Sequence, residues 1–291
     1  MHNLDQISVL LVYSSIAALL VAMVAFALDI SKRKAEVPGA EAPTRRPAAN
    51  AAMMVTRLAA VFLAGAMVTR GIEQKHAPWS NMYEFTLAFT LVALVVYLGM
   101  ALRRDLRDVG IFVVLPALAA LGIAVVILYV RADGVAPILS HYWLIIHVPF
   151  AIGAVGMSCI AAFFAGLQLL KDFSAERGWS KAAAMVEKLP APDALERIAY
   201  RMTTIGFVLW TFTIVAGAIW ANSAWTRAWG WDPKEVWSLV IWVIYAAYLH
   251  GRTTRGWDGR RSAYLILIGF IAVLINLFVV NYFFPSLHSY A

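Results

Sequence analysis

The chain has 291 residues, of which 62% are apolar and only 14% charged, with a mean hydropathy of +0.73. A soluble domain stands nearer half apolar and a quarter charged, so this composition excludes an ordinary soluble protein and points to helices in a membrane. The net charge of +7 carries no nucleic-acid signal until Lys and Arg are placed against a bilayer, and the single cysteine, Cys159, excludes an internal disulfide or a C-x-x-C pair.

Taken in chain order, apolar runs recur at 7–28, 51–70, 83–102, 109–129, 143–170, 202–220, 234–250 and 262–284. Each is long enough to cross roughly 30 Å of hydrocarbon as a helix. The first lacks a basic leader and an A-x-A site and reads as a retained helix. The Pro/Ala-rich "AEVPGAEAPTRRPAAN" (35–50) reads as a flexible linker. The run at 143–170 is long enough to tilt or to project from the bilayer. The stretch 171–201 is amphipathic and reads either as a helix lying along the membrane surface or as a solvated connection. The expected fold is an all-α polytopic transmembrane bundle of about eight spans. Residues 1–70 form an N-terminal pair of spans with its linker, and 71–291 form a second domain of six.

Lys and Arg fix the expected orientation. The loops 29–50, 103–108, 171–201 and 251–261 hold 18 of the 24 basic residues, while the alternate segments hold five. Arg57 is the last, placed to snorkel from the inner end of the second span. By the positive-inside rule the four basic loops face the cytoplasm and both termini face outward.

That topology sorts the histidines. His2, His76, His141, His147 and His288 fall at or near the outer face, and His250 alone falls at the inner face. His147 and His288 share one leaflet and are placed to flank one ligand. A single interfacial histidine is more often hydrogen-bonded than ligating, but neutral imidazole is a good axial ligand for haem iron. The segment "WANSAWTRAWGWDPKEVWSLVIWVIYAAYLH" (220–250) supplies what a macrocycle needs. Trp220, Trp225, Trp229, Trp231 and Trp237 offer flat apolar surface, and Arg131, Arg227 and Lys234 offer cations for propionates. An interfacial aromatic belt accounts for one or two indoles per helix end, not four between residues 220 and 231. Asp232 suits the N-cap, Pro233 the first helical position and Glu235 the third, predicting a helix from 233 that reaches His250 about 27 Å away.

The same segment resembles the tryptophan-rich "WWD" signature of the cytochrome c assembly proteins that handle haem. Together with "HAPWSNMYEFTLAF" (76–89), "LSHYWLIIHVPFAIG" (139–153) and "VNYFFPSLHSYA" (280–291), it is similar to the CcsA/ResC-type proteins of system II. The resemblance implies that His147 and His288 hold haem b, the transported substrate, axially beneath Trp225, Trp229, Trp231, Asp232 and Trp237. His250 receives haem at the inner face, where a CcsB/ResB-type membrane protein supplies the second imidazole. No role for His76 follows from it, and His141 reads as structural.

The implied activity is haem export and covalent attachment to an apocytochrome c bearing C-x-x-C-H, carried out jointly with that partner. No residue reads as a catalytic nucleophile; the chain supplies position. A thiol-reducing protein is a further partner the family allows, and nucleic acid is not expected. The location implied is the inner (plasma) membrane, or the thylakoid in a plastid. Two rival readings stay open: a haem transporter without attachment activity, and a bis-histidine haem b electron-transfer subunit.

Overall fold

The computed structural model describes residues 3–32, 46–103, 105–131, 141–177, 186 and 190–287. Every regular element among them is helical: α1 Asn3–Lys32, α2 Pro47–Gln74, α3 Met82–Ala101, α4 Gly110–Val126, α5 Tyr142–Arg177, α6 Pro192–Trp225, α7 Pro233–Arg255 and α8 Gly259–Leu274. A π-helical turn, Ile275–Val280, continues α8 into a last short helix, α9, at Asn281–Phe283. Each predicted apolar run is occupied by one of the helices α1 to α8. Six described helices are long and apolar enough to cross a bilayer, and the chain is a membrane protein. Of the others, α4 is 17 residues long, and α7 carries Lys234 and Glu235 in its first turn and Arg252 and Arg255 in its last.

The helices divide between two compact units, Met1–Ala136 and Pro137–Ala291. In the first, α1 and α2 run antiparallel at close range because α2 presents Ala52, Ala59, Ala60 and Ala66, all buried. Small residues let backbones approach, and side-chain hydroxyls then bond across. Ser8 Oγ donates to the Ala66 carbonyl and Ser15 Oγ to the Ala59 carbonyl, each at 3.0 Å. Arg70 and Glu84 are fully buried and paired at 2.7 Å. Arg70 also donates to Asp5 and to the Val130 carbonyl, which ties α1, α2, α3 and the chain beyond α4 to one guanidinium.

In the second unit α5 and α6 form an antiparallel pair with a legible register. Gln168 meets Glu196, Met157 meets Gly206, Gly153 meets Leu209, Phe150 packs at a tilt on Phe212, and His147 meets Thr213. Likewise α7 runs antiparallel to α8: Ser238 bonds Asn276, Tyr245 lies over Gly269, and Tyr248 bonds Ser262. Trp210 Nε1 donates to the Ser238 carbonyl and Trp242 Nε1 to Thr211 Oγ1, joining α6 to α7. The start of α5, the end of α6, the start of α7 and the end of α8 therefore share one end of the unit. His250 lies toward the other.

One sequence expectation changes here. The stretch 171–201 contributes to the bundle at both ends. Helix α5 continues to Arg177, and α6 begins at Pro192, because Leu195 and Ala199 are buried against Ala161, Ala165 and Leu169. Its middle lies outside the described residues, apart from the buried Val186. Helix α7 starts at Pro233 and reaches His250 as expected, then runs on to Arg255 and closes on Gly256, whose φ of 59° suits a residue without Cβ.

Candidate functional site

The tryptophan segment is a folded turn between two helices. Trp220, buried in the last turns of α6, meets Trp225 edge-on with centroids 4.8 Å apart. Helix α6 ends where Thr226 takes a φ of 57°. Arg227 folds its guanidinium over Gly230, where any Cβ would lie 2.0 Å from it. Trp229 and Trp231 then meet edge-on at 5.8 Å.

One carboxylate oxygen organises the tip. Glu235 Oε2 accepts from the Gly230 amide at 2.8 Å and from the Asp232 amide at 3.1 Å. Trp231 stands between those amides with a φ of 57° and is 73% exposed. A bulky side chain in the left-handed region is strained, and such strain gathers where function needs a fixed geometry. Asp232 Oδ1 accepts from the Lys234 amide at 3.0 Å, completing the predicted capping box ahead of Pro233. Trp225 and Trp237 are each half-buried.

His147 occupies the same end of the unit. Its Nδ1 lies 2.9 Å from the Thr213 carbonyl. A carbonyl only accepts, so the ring proton sits on Nδ1 and Nε2 carries the lone pair, the usual arrangement of a ligating histidine. The ring packs closely on α6 because residue 217 is glycine: a Cβ there would be 2.9 Å from His147 Cε1 and 3.0 Å from Nδ1. Gly217 is one turn before Trp220.

The C-terminal limb meets this end too. Asp232 Oδ2 accepts from the Leu287 amide at 2.9 Å. Lys234 Nζ, expected from the sequence to face propionates, donates instead to the Asn276 carbonyl at 2.9 Å and to Asn281 Oδ1 at 3.3 Å. His288 lies outside the described residues.

At the far end His250 is exposed, and its neighbours are fixed. Arg252 pairs with the buried Glu196, which also accepts from the Gly259 amide at 3.0 Å. Of the remaining histidines, His141 caps α5, its Nδ1 accepting from the Trp143 amide at 3.3 Å. In the first unit His76 Nδ1 donates to the Ala77 carbonyl at 2.7 Å, while its Nε2 is buried without a partner among the described residues. Asn81 Oδ1 caps α3 by accepting from the Glu84 amide at 3.0 Å, so the "SNMYE" stretch works as a helix start.

Residues 79–288 match the sequence profile described as Cytochrome C assembly protein. The chain belongs to that family, in its CcsA-type branch. Among its relatives, the Cytochrome c biogenesis protein CcsA of Gloeobacter violaceus is 31% identical, the match covering 99% of this chain and 97% of that one. The protein of the same name from Guillardia theta is 33% identical over 81% of this chain and 83% of its own. The fold is similar to a solved structure named Cytochrome c Heme Lyase CcmF, with a TM-score of 0.66 at 16% identity. That match covers 94% of this chain and 46% of the other, so this chain spans about half the length of that structure. Membership of this family places the chain among the proteins of cytochrome c assembly.

Four groups in the CcsA-type chain escape a reading by motif: Thr213 and Gly217, which seat His147, and Asn276 and Asn281, which receive Lys234. A glycine inside the apolar helix "TFTIVAGAIW" and two asparagines inside "INLFVVNYF" were the signals available, since each is costly in such a helix without a packing or polar partner.

Proposed function

We propose that this protein carries haem b outward and holds it for covalent attachment to an apocytochrome c, acting with a CcsB/ResB-type membrane partner. His147 and His288 are the outer axial ligands, with Trp225, Trp229, Trp231 and Trp237 against the macrocycle and Asp232 fixing the turn that carries them. His250, exposed toward the other end of α7, receives haem there together with an imidazole of the partner. Both termini face outward across the inner membrane, or across the thylakoid in a plastid, and residues 71–291 form the assembly domain.

The observation that carries the reading is the bond from His147 Nδ1 to the Thr213 carbonyl, at 2.9 Å. It orients Nε2 as a donor to iron and raises its basicity. Two imidazoles bind the iron and leave the vinyl edge open to the incoming polypeptide, whose own histidine then displaces one of them. Each reduced thiol of the C-x-x-C-H segment adds across one vinyl: sulfur bonds one carbon, the proton goes to the other, and nothing is oxidised overall. The protein contributes proximity and orientation, and the reactivity belongs to haem and thiol.

The test is reconstitution. Produced with its partner in cells lacking any other cytochrome c assembly machinery, the protein is expected to yield a c-type cytochrome whose haem survives denaturing electrophoresis. Haem loading without any covalent cytochrome reduces the function to transport.

A further inference from the structure

We propose that Asp232 and Lys234 are positioning residues that dock the chain end leading into His288 onto the first turn of α7. The proposal rests on the reading of His288 as an axial ligand and adds what sets its register.

A helix cap needs one acceptor oxygen. Asp232 uses Oδ1 for that purpose and gives Oδ2 to the amide of Leu287, 55 positions along the chain and one peptide bond before His288. Asp232 itself is buried, and a buried carboxylate accepting amide hydrogen bonds is among the stronger polar contacts a protein makes. Because Trp231 adjoins Asp232, this one bond brings the exposed indole and residue 287 to the same turn.

Lys234 makes the second link. Its ammonium reaches the carbonyl of Asn276 in the π-helical turn and Asn281 Oδ1 just after it. A third link, Asn276 Nδ2 to Ser238 Oγ at 3.3 Å, lies one turn further along α7. Residues 232, 234 and 238 thus hold 287, 276/281 and 276 in order. Both asparagines are almost wholly buried, and each leaves one amide atom without a partner among the described residues, Asn276 Oδ1 and Asn281 Nδ2. Unpaired buried amide atoms lower stability, so a purely structural joint would use apolar residues here. Residues 284–287 lie outside any helix, and Phe284 and Leu287 are exposed. The bond to Asp232 contributes register to this non-helical stretch.

The experiment uses full-length protein with its partner, with Cys159→Ala and Leu287→Cys carrying a nitroxide; the bond uses the backbone of residue 287, so the side chain is replaceable. Asp232→Asn keeps an oxygen for the cap but lets a single carbonyl oxygen serve where two carboxylate oxygens did. Asp232→Ser caps with its hydroxyl, and Lys234→Met fills the same space without the ammonium; thermal unfolding confirms that each variant is folded. The expected result is a mobile nitroxide in all three, and haem that dissociates about tenfold faster with the axial-ligand spectrum of His288→Ala. An unchanged nitroxide overturns the docking. A mobile nitroxide with wild-type haem binding, while His288→Ala loses its axial signal, overturns the positioning role and leaves the ligand reading intact. If His288→Ala itself keeps the wild-type spectrum, the ligand reading fails and the positioning role falls with it.

Discussion

Replacing Gly217 by alanine separates the haem site from the fold, because the two effects have opposite signs. The added Cβ would lie 2.9 Å from His147 Cε1 and 3.0 Å from Nδ1. Carbon atoms pack comfortably at about 3.5–4.0 Å, so the imidazole must retreat by roughly 0.5–1 Å. Its bond to the Thr213 carbonyl, 2.9 Å long, then stretches past hydrogen-bonding range. Loss of such an outer partner to a ligating histidine costs about 10–100-fold in metal affinity, or roughly 1.4–2.7 kcal/mol. Alanine in a helix interior, in contrast, stabilises by about 0.5–1 kcal/mol relative to glycine. Gly166→Ala is the matched control, since nothing lies within 4 Å of a Cβ there. The assay is transfer of haem from the purified protein to an excess of apomyoglobin, run beside thermal unfolding. Gly217→Ala should release haem about 10–100 times faster while unfolding no earlier than wild type. Wild-type release, or haem loss only in step with loss of fold, refutes the reasoning.

Trp231→Gly and Trp231→Ala both remove the indole, but only glycine adopts the φ of 57° without strain; glycine should be the more stable by about 1 kcal/mol in thermal unfolding, with haem retention reduced equally in both. Glu84→Ala should destabilise by about 3 kcal/mol or more, read by denaturation in detergent, because it takes from the fully buried Arg70 its nearest carboxylate, at 2.7 Å, and leaves Asp5 at 3.3 Å as the remaining acidic partner. His250→Ala should lower outer-site haem loading unless imidazole is added, measured as haem per protein after purification; full loading without imidazole removes the entry role.

The local chemistry of this chain is legible because it is written in neighbouring residues. Asp232, Pro233 and Glu235 announce a helix start, and α7 begins at Pro233 with that capping box in place. The apolar runs likewise announce the helices that occupy them. What depends on distant partners is not legible. The second oxygen of Asp232 bonds an amide 55 residues away, and no spacing rule reaches that far. Lys234 reads as an interfacial cation, yet the antiparallel packing of α7 on α8 turns its ammonium to Asn276 and Asn281. The stretch 171–201 reads as amphipathic, either lying along the surface or solvated, because charges recur along it. In the fold, Glu196 is neutralised by Arg252, and Leu195 and Ala199 join the core, so the helix simply continues. Thr213 and Gly217 matter only through the register of α5 on α6, which packing along the whole pair sets.

The central claim is that His147 holds haem iron through Nε2, and the most direct measurement is the low-temperature electron paramagnetic resonance and absorption spectrum of haem-loaded protein purified with its partner. The account predicts a bis-imidazole low-spin signal in the wild type that is lost from the outer site in His147→Ala and returns when free imidazole is supplied. An unchanged bis-imidazole signal in His147→Ala, at equal haem content, would contradict it.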